Sequence, residues 1–262
     1  MGCPAILAEN LAKYFPPAKS GWRALLQPFV QQTIPALAGI SFSIERGESV
    51  ALVGANGAGK STLLRLFATL LYPTAGHAEI CGADVSTKAD VVRSKIGYDA
   101  GVEEGFYGRL TGRQNLRLFA TLNDLSRQEF ADRIRRLSGL LELSPFLDQQ
   151  TRTCSTGMLQ RLGLARALLH SPEVLLLDEP TRSLDSASAA AFRRYLKQEI
   201  IGHDGATLLF ASHAISEVEE LADRIILLHQ GSLRMFDSPS VLCAVARTSH
   251  LEDAIRSLTG AA

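Results

Sequence analysis

Apolar and polar positions alternate in two periods along the first third of the chain, and they predict a strand, a turn and a helix. GISFSI, at residues 39–44, alternates as a half-buried strand does. ESVALVG, at residues 48–54, is a short apolar run that ends in glycine. KSTLLRLFATLLYP then has apolar residues at helical spacing, and we expect Pro73 to end that helix.

The rest of the chain combines amphipathic stretches with continuous apolar runs. Residues 99–167 are mostly helical in pattern, and Ser126 followed by Glu129 forms a capping box before one of these helices. EVLLLD, ATLLFAS and RIILLHQ are continuous apolar runs, which suit strands buried on both faces of a parallel sheet. HQGSL after the last run indicates a turn into an edge hairpin. The pattern therefore predicts an α/β fold with a helical insertion.

Two further segments have weaker patterns. Residues 16–35 are proline-rich and weakly periodic, which predicts a long surface loop with one short helix at residues 22–26. HLEDAIRSLTG, at residues 250–260, has Leu251, Ile255 and Leu258 on one face of a short helix. The pattern leaves open whether this helix packs on its own domain or on a partner.

Composition narrows the classes of partner and compartment. Among 262 residues, 27 Lys and Arg balance 27 Asp and Glu, so charge gives no argument for a nucleic-acid partner. The four cysteines lie far apart without a CxxC pair, which favours a reducing, cytosolic setting over a disulfide framework or a zinc site. We expect no transmembrane helix and no signal peptide, so contact with a membrane would go through a partner.

The glycine-rich turn carries the first chemical signal. GANGAGKS, at residues 54–61, fits G-x-x-x-x-G-K-[ST] between an apolar strand and a helix. Such a loop points backbone N–H groups at phosphate oxygens, its lysine reaches the β- and γ-phosphates, and its serine hydroxyl binds Mg²⁺. The predicted nucleotide-binding residues here are Gly54, Asn56, Gly57, Gly59, Lys60, Ser61 and Thr62.

A pair of acids ends the apolar run LLLDEP. Asp178 stands where a P-loop protein places the carboxylate that holds Mg²⁺ through water. Glu179 follows and is suited to act as the general base for water that attacks the γ-phosphate. The alternative is that both acids simply begin a helix, where its dipole favours negative charge.

A third stretch discriminates among P-loop proteins. In CSTGMLQRLGLARALL, at residues 154–169, Ser155 or Thr156 can cap the following helix and leave N–H groups facing an anion. Here the chain resembles the ATP-binding cassette (ABC) nucleotide-binding domain, because CSTGM stands at the place of the L-S-G-G-Q signature, with Ser155 and Gly157 matching. SLD, ending at Asp185, resembles the D-loop, and His213 after LLFAS resembles the switch histidine.

The resemblance covers nearly the whole chain and implies a P-loop NTPase core with a mostly parallel sheet, a small antiparallel β-subdomain and a helical subdomain. It implies an ATPase domain at residues 1–237, with the helical subdomain at 99–167, and a helical tail at 238–262. Two cassettes would form a homodimer that sandwiches two ATP molecules. In each site, one copy would supply Lys60, Ser61, Asp178 and Glu179. The other copy would supply Ser155 and Gly157.

The resemblance also implies roles for three further residues. His213 would contact the γ-phosphate and hold the attacking water. Asp185 would couple the two sites, and Phe15 would stack on adenine, with Tyr14 as the second choice.

One position departs from the family pattern. The family has a glutamine soon after IGY, but here Gly101 falls near that position and the next glutamine is Gln114. Asp99, Glu103 and Glu104 remain alternatives for reaching Mg²⁺ or water.

FYGRLTGRQNL otherwise resembles cassettes that pair with ABC-2-type export permeases. The resemblance therefore implies export through a separate integral membrane permease, with the cassette peripheral at the inner face of the cell membrane. Three alternatives remain: an importer cassette, a soluble ABC ATPase that acts on ribosomes or DNA, and a nucleotide-binding module without turnover.

Overall fold

Two sheets organise the part of the chain that the structure, a computed structural model, describes: residues 3–16, 34–101 and 105–259. Their strands are β1 (Ile6–Phe15), β2 (Ile34–Ile44), β3 (Ser49–Val53), β4 (Ala75–Ile80), β5 (Ala83–Asp84), β6 (Ile96–Asp99), β7 (Val174–Asp178), β8 (Thr207–Ala211), β9 (Arg224–His229) and β10 (Ser232–Asp237). The four-stranded sheet is antiparallel in the order β2-β1-β4-β5. The six-stranded sheet has the order β10-β9-β3-β8-β7-β6.

Helices cover the larger sheet and form a separate lobe. They are α1 (Lys60–Phe67), α2 (Ala89–Lys95), α3 (Gly112–Leu122), α4 (Arg127–Leu140), α5 (Thr156–Leu168), α6 (Ser186–Tyr195), α7 (Ile215–Leu221), α8 (Pro239–Ala246) and α9 (Leu251–Thr259). A π-helical stretch, Leu196–His203, continues α6, and a 3₁₀ turn, Thr151–Thr153, precedes α5.

The larger sheet is parallel from β9 through β3, β8 and β7 to β6. Every residue of β3, β7 and β8 is buried, as continuous apolar runs require when helices cover both faces. At its edge, β10 pairs antiparallel with β9 through Gln230 and Gly231, both at positive φ (48° and 75°). A two-residue turn of this kind matches the twist of a hairpin, and the predicted edge hairpin is confirmed.

The helix after the glycine-rich loop is shorter than the apolar spacing predicts. It ends at Phe67, well before Pro73, because Thr69 adopts the left-handed conformation at φ 59°. The Leu70 N–H then donates to Arg65 O and the Thr69 N–H to Leu66 O, which is the Schellman termination. The expectation that Pro73 stops this helix is wrong.

The helical lobe begins later than residue 99. Asp99 is the last residue of β6, and α3 is the first helix of the lobe. Both α3 and α4 open with capping boxes, from Thr111 and from Ser126, and the predicted Ser126 box is confirmed. The third helix, α5, runs past residue 167 to Leu168 and packs on β6, so it joins the lobe to the sheet.

The predicted loop at residues 16–35 is only partly open to comparison. Residues 17–33, including the predicted short helix at 22–26, lie outside the described residues. Ile34 and Pro35 already belong to β2, paired with Phe15 and Tyr14 of β1.

The C-terminal helices pack on the chain itself. Leu251 and Ala254 of α9 are buried, and α9 contacts α8, β9 and α7. This decides, for the described residues, between packing on the domain and packing on a partner. Within the same described residues, no helix is long and apolar enough to cross a membrane.

Candidate active site

The glycine-rich loop joins the end of β3 to the start of α1. Gly59 precedes α1 at φ 107°, and a Cβ there would lie 2.5 Å from the Ala36 carbonyl oxygen, so a side chain has no room. Gly59 also has no side chain with which to cap α1. The first-turn N–H groups and the positive end of the helix dipole therefore face the loop, where an anion binds favourably.

Lys60 lies at the bottom of this loop and is only 7% exposed. Its ammonium donates to Gly54 O at 2.7 Å and to Ala55 O at 3.2 Å. Burial lowers the pKa of Lys60, while the negative charges of Glu179 and Asp178 act in the opposite direction. The cation is thus held in a partly desolvated position, where its attraction to phosphate is stronger than in water.

The two acids lie at the carboxyl end of β7. Asp178 is its last residue and is buried, and Glu179 follows in a left-handed conformation at φ 56°. The Glu179 N–H donates to Ala211 O of β8 at 3.0 Å, which holds this conformation in place. Non-glycine residues at positive φ are uncommon and concentrate where function demands a particular side-chain direction.

His213 connects the acid to the cation. It follows β8, and its Nε2 lies 3.1 Å from Glu179 Oε1 and 3.3 Å from Lys60 Nζ. With a proton on Nε2 the imidazole donates to Glu179, and without one it accepts from Lys60. The Lys60 ammonium, the His213 imidazole and the Glu179 carboxylate are therefore in consecutive contact.

These groups surround one cavity of about 350 Å³. The sequence-predicted residues that line it are Asn56, Gly57, Gly59, Lys60, Ser61, Thr62, Asp178, Glu179 and His213. Gly54 is outside the lining but contributes the carbonyl that holds Lys60. The arrangement offers N–H donors and a cation for phosphates, with a carboxylate beside them to accept a proton from water.

The family model described as "ABC transporter" matches residues 37–182, more than half of the 262 residues. That span contains the glycine-rich loop and both acids. The chain belongs to the ABC transporter family.

Similar proteins carry the same family name. The ABC cassette is 37% identical over 203 residues to the ABC transporter ATP-binding protein NatA of Bacillus subtilis, covering 78% of this chain and 82% of NatA. It is 35% identical over 194 residues to the bacitracin transport ATP-binding protein BcrA of Bacillus licheniformis, covering 74% of this chain and 62% of BcrA.

Solved structures agree with this assignment. The ABC cassette matches an ATP-binding subunit of an ABC transporter with TM-score 0.83 and 25% identity, covering 97% of this chain and 99% of the other. It also matches the dimeric cassette MJ0796 bound to ADP and Pi, with TM-score 0.77 and 27% identity, covering 89% and 98% of the two chains. The protein is an ATP-binding, ATP-hydrolysing cassette of a transporter, and the predicted fold is confirmed.

The signature residues of this ABC cassette stand apart from the cavity. Ser155 is exposed and caps α5, its Oγ accepting from the Met158 N–H at 3.3 Å. Gly157 lies against the D-loop, where a Cβ would be 3.1 Å from Ser183 O. Neither residue lines the cavity that contains Lys60. Their predicted contact with ATP therefore requires a second copy.

Asp185 has several contacts within its own chain. Its carboxylate caps α6 by accepting from the Ala187 and Ser188 N–H groups, and Ser188 Oγ donates to it at 2.6 Å. These hydrogen bonds lower the pKa of Asp185. Arg161 of α5 lies 3.2 Å away, so the D-loop is tied to the signature helix. The coupling role predicted for Asp185 stays a prediction.

The adenine-stacking aromatic also stays a prediction. Phe15 ends β1 opposite Ile34, outside the lining of the cavity, with the Lys13 ammonium 5.3 Å from its ring centroid. Tyr14 is the more exposed of the two aromatics.

Sequence reasoning missed five residues that line the cavity: Ala36, Arg65, Ala100, Gly101 and Arg182. Arg65 was detectable, because it lies one helical turn after Ser61, on the same face. The sequence marks Gly101 only as the residue near the position of the absent glutamine. Its φ is 65°, and a Cβ there would lie 2.2 Å from Asp178 O, so its backbone rests directly on the end of β7.

The alternatives to the glutamine are reduced by this geometry. Asp99 is buried against α5 and does not line the cavity, so it is not placed to reach Mg²⁺ or the attacking water. Of the three alternatives, this geometry disfavours Asp99. Glu103 and Glu104 lie outside the described residues.

The oxygen donors of the cavity suit a Mg²⁺ ion that is bound together with phosphates and water, rather than one enclosed by protein ligands alone. Asp178 and the Ser61 hydroxyl line the same cavity and offer the oxygen ligands that Mg²⁺ prefers. Among described residues, no group of three or more His, Cys, Asp or Glu is arranged as a metal site. Mg²⁺ in protein sites of this kind takes its remaining ligands from phosphates and water.

Proposed function

We propose that this chain powers export through a separate membrane permease and that two copies share two ATP molecules. The observation that carries the proposal is the division of the candidate site. One cavity holds Lys60, Glu179 and His213, while the capped N-terminus of α5, with Ser155, is exposed elsewhere on the same chain. Two copies placed head to tail would bring each cavity to the other copy's α5.

Each residue has a separate part in hydrolysis. Lys60 and the N-terminus of α1 bind the β- and γ-phosphates and stabilise the charge that develops as the bond to ADP breaks. Glu179 accepts the proton of the water whose oxygen forms the new bond to the γ-phosphorus. His213 holds that water and the γ-phosphate in line, since it already contacts Glu179 and Lys60. The products are ADP and inorganic phosphate.

Mg²⁺ would be held by Ser61 and, through water, by Asp178. When bound, it neutralises phosphate charge and so makes the γ-phosphorus easier to attack.

A groove beside the larger sheet supports a permease partner. It measures about 730 Å³ and lies between the β6 edge, α2 and α3. Leu70 (59% exposed) and Leu122 (69% exposed) face solvent at its border. Exposed apolar side chains around a concave surface are a mark of protein contact. Arg166 and Tyr98 line the same groove and adjoin the loop that carries Gly101. A partner docked in the groove could therefore change the position of Gly101 in the ATP cavity.

The direction of transport is proposed on the sequence after β6. FYGRLTGRQNL resembles cassettes that pair with ABC-2-type export permeases. BcrA, whose name describes bacitracin transport, is a relative at 35% identity.

Reconstitution with a candidate membrane permease, chosen from the neighbouring genes, tests the proposal. We expect Leu122→Arg to lose retention on vesicles that contain that protein, while the isolated cassette keeps its ATPase activity. Val245→Arg is the matched control, because Val245 is 57% exposed on α8, away from the groove. Equal retention of both variants would contradict docking at this groove. Movement of cargo toward the side of the membrane that holds the cassette and ATP would contradict export.

A further inference from the structure

Asp99 is a buried carboxylate that the proposed chemistry does not use. It is the last residue of β6 and is 1% exposed. Its Oδ2 accepts a hydrogen bond from Nε2 of Gln160 at 2.9 Å, and Gln160 is also buried. Gln160 belongs to the first half of α5, the helix that Ser155 caps. The bond therefore fastens the signature helix to the end of the edge strand β6.

Close packing fixes the geometry of this contact. A Cβ on Gly163 would lie 2.5 Å from Asp99 Oδ1, so α5 approaches the carboxylate only because Gly163 has no side chain. Gln160 and Gly163 are three residues apart and thus lie on one face of the helix. Oδ2 of Asp99 is thus hydrogen-bonded to that face, and Oδ1 packs against it at Gly163.

The same carboxylate reaches toward the ATP cavity. The Gly101 backbone N–H favours the charged form of Asp99 and so acts to lower its pKa, while the Gly101 backbone rests on the carbonyl of Asp178. Gly101 is thus held between Asp99 and the strand end that precedes Glu179. A path of direct contacts leads from the cavity through Gly101 and Asp99 to α5.

Arg166 joins α5 to Phe106, which precedes α3, and to Phe119 of α3. Its guanidinium lies 5.1 Å and 5.2 Å from the ring centroids of Phe106 and Phe119. The charged groups that act on Asp99 are the Arg166 cation and the Asp178 carboxylate. Burial raises the pKa of Asp99 to about 6 in spite of Arg166. Replacing a buried charge by a well-packed apolar side chain is often neutral or stabilising, so packing alone does not explain an acid at this position.

We propose that Asp99 is a positioning residue that, through Gln160, sets where the N-terminus of α5 presents Ser155 and Gly157 to the ATP held by a second copy. The inference rests on the proposed two-copy site. Its effect is exerted on the partner's ATP rather than on the chain's own.

Three variants test the hydrogen bond. Asp99→Leu and Gln160→Leu each remove it, and we expect kcat to fall roughly 10- to 100-fold, as for other small misplacements near a reacting centre. Asp99→Asn keeps an oxygen that accepts from Gln160, and we expect it to keep kcat within about threefold of the unchanged chain. Leu137→Ala, in the core of the helical lobe, is the control for lost stability and should leave kcat unchanged below its unfolding temperature. A fall with Asp99→Asn equal to that with Asp99→Leu would overturn the proposal.

Mixing with Lys60→Ala locates the defect. A Lys60→Ala copy lacks a working ATP half-site but has an intact α5. In a mixed pair with Asp99→Leu, one site combines an intact Lys60 with an intact Ser155. We expect turnover above the sum of the two separate preparations. Gln160→Leu is measured in parallel, so the test survives if Asp99→Leu does not fold.

Two reference mixtures separate the possible failures. Ser155→Ala with Lys60→Ala should also restore turnover, and Glu179→Gln with Lys60→Ala should not, because both defects lie in the same half-site. Restoration with Ser155→Ala but not with Asp99→Leu or Gln160→Leu overturns the role of Asp99. No restoration with Ser155→Ala contradicts the two-copy site itself.

Discussion

His213 Nε2 lies 3.1 Å from Glu179 Oε1, and both side chains line the cavity that also contains Lys60. Glu179 reaches this position by adopting φ 56°, and its N–H is held by Ala211 of the neighbouring strand. The acid and the imidazole are therefore oriented by backbone that belongs to two adjacent strand ends. Water between them and a γ-phosphate would meet a proton acceptor that needs no rearrangement.

Replacing the imidazole should slow the chemical step more than binding. We expect His213→Ala to lower kcat roughly 100-fold, the usual scale for losing a group that positions or transfers a proton. The KM for ATP should change little, because Lys60 and the N-terminus of α1 remain.

Steady-state phosphate release measures both constants for His213→Ala. His203→Ala is the control, since His203 is exposed beside Asp204 and does not line the cavity. Full kcat in His213→Ala would contradict the assigned role.

A side chain at residue 101 should disturb the cavity through the backbone. Gly101→Ala places a Cβ 2.2 Å from Asp178 O at φ 65°, so the loop must move off the strand end. We expect roughly 1–3 kcal/mol of lost stability and at least about a tenfold lower kcat.

Gly39→Ala separates collision from backbone strain. Gly39 has φ 73°, but a Cβ there meets nothing within 4 Å. Urea unfolding should show the strain in both variants, whereas kcat should fall only in Gly101→Ala. Equal kcat in both variants would show that contact between residue 101 and Asp178 is unimportant.

The buried carboxylate predicts a pH-dependent stability. The pKa of Asp99 is raised from 3.8 to about 6 in the folded chain, mainly by burial. The folded state thus holds more protons than the unfolded state between about pH 4 and pH 6, and stability falls as pH rises through that window. Asp99→Asn removes this loss and should gain roughly 3 kcal/mol at neutral pH.

Denaturant unfolding of Asp99→Asn and the unchanged chain, compared across that window, checks the sign. The difference in unfolding free energy should shrink toward zero below about pH 4. A difference that stays constant with pH is the contrary result.

Adenine stacking can be tested by comparing the changes in the KM for ATP and in kcat. We expect Phe15→Ala to raise the KM for ATP roughly tenfold, the scale for losing one aromatic stack on a base, with kcat preserved. Tyr14→Ala is the matched comparison, because it is the adjacent aromatic. If only Tyr14→Ala raises KM, the stacking residue is Tyr14, and if neither does, the base is held by other groups.

Local signals explain most of what was predictable. The loop around Lys60 and the acids Asp178 and Glu179 each sit at a strand end beside their own sequence motif, so short-range pattern was sufficient. The end of α1 was not predictable in this way. It depends on Thr69 adopting a left-handed conformation, which apolar spacing does not encode.

Long-range packing explains what was missed. Asp99 looked available for metal or water, because nothing near it in sequence shows that α5 will cover it. Gln160 and Gly163, about sixty residues away, bury it.

Light scattering of the Glu179→Gln variant with ATP and Mg²⁺ tests directly whether two copies close over the nucleotide. Glu179→Gln should bind ATP without hydrolysing it, so the 28.3 kDa chain should double in mass. Adding Lys60→Ala or Ser155→Ala to that variant should abolish the doubling, since each removes one half of the shared site. A Glu179→Gln chain that stays at 28.3 kDa with saturating ATP would contradict the proposal that two copies close over the nucleotide.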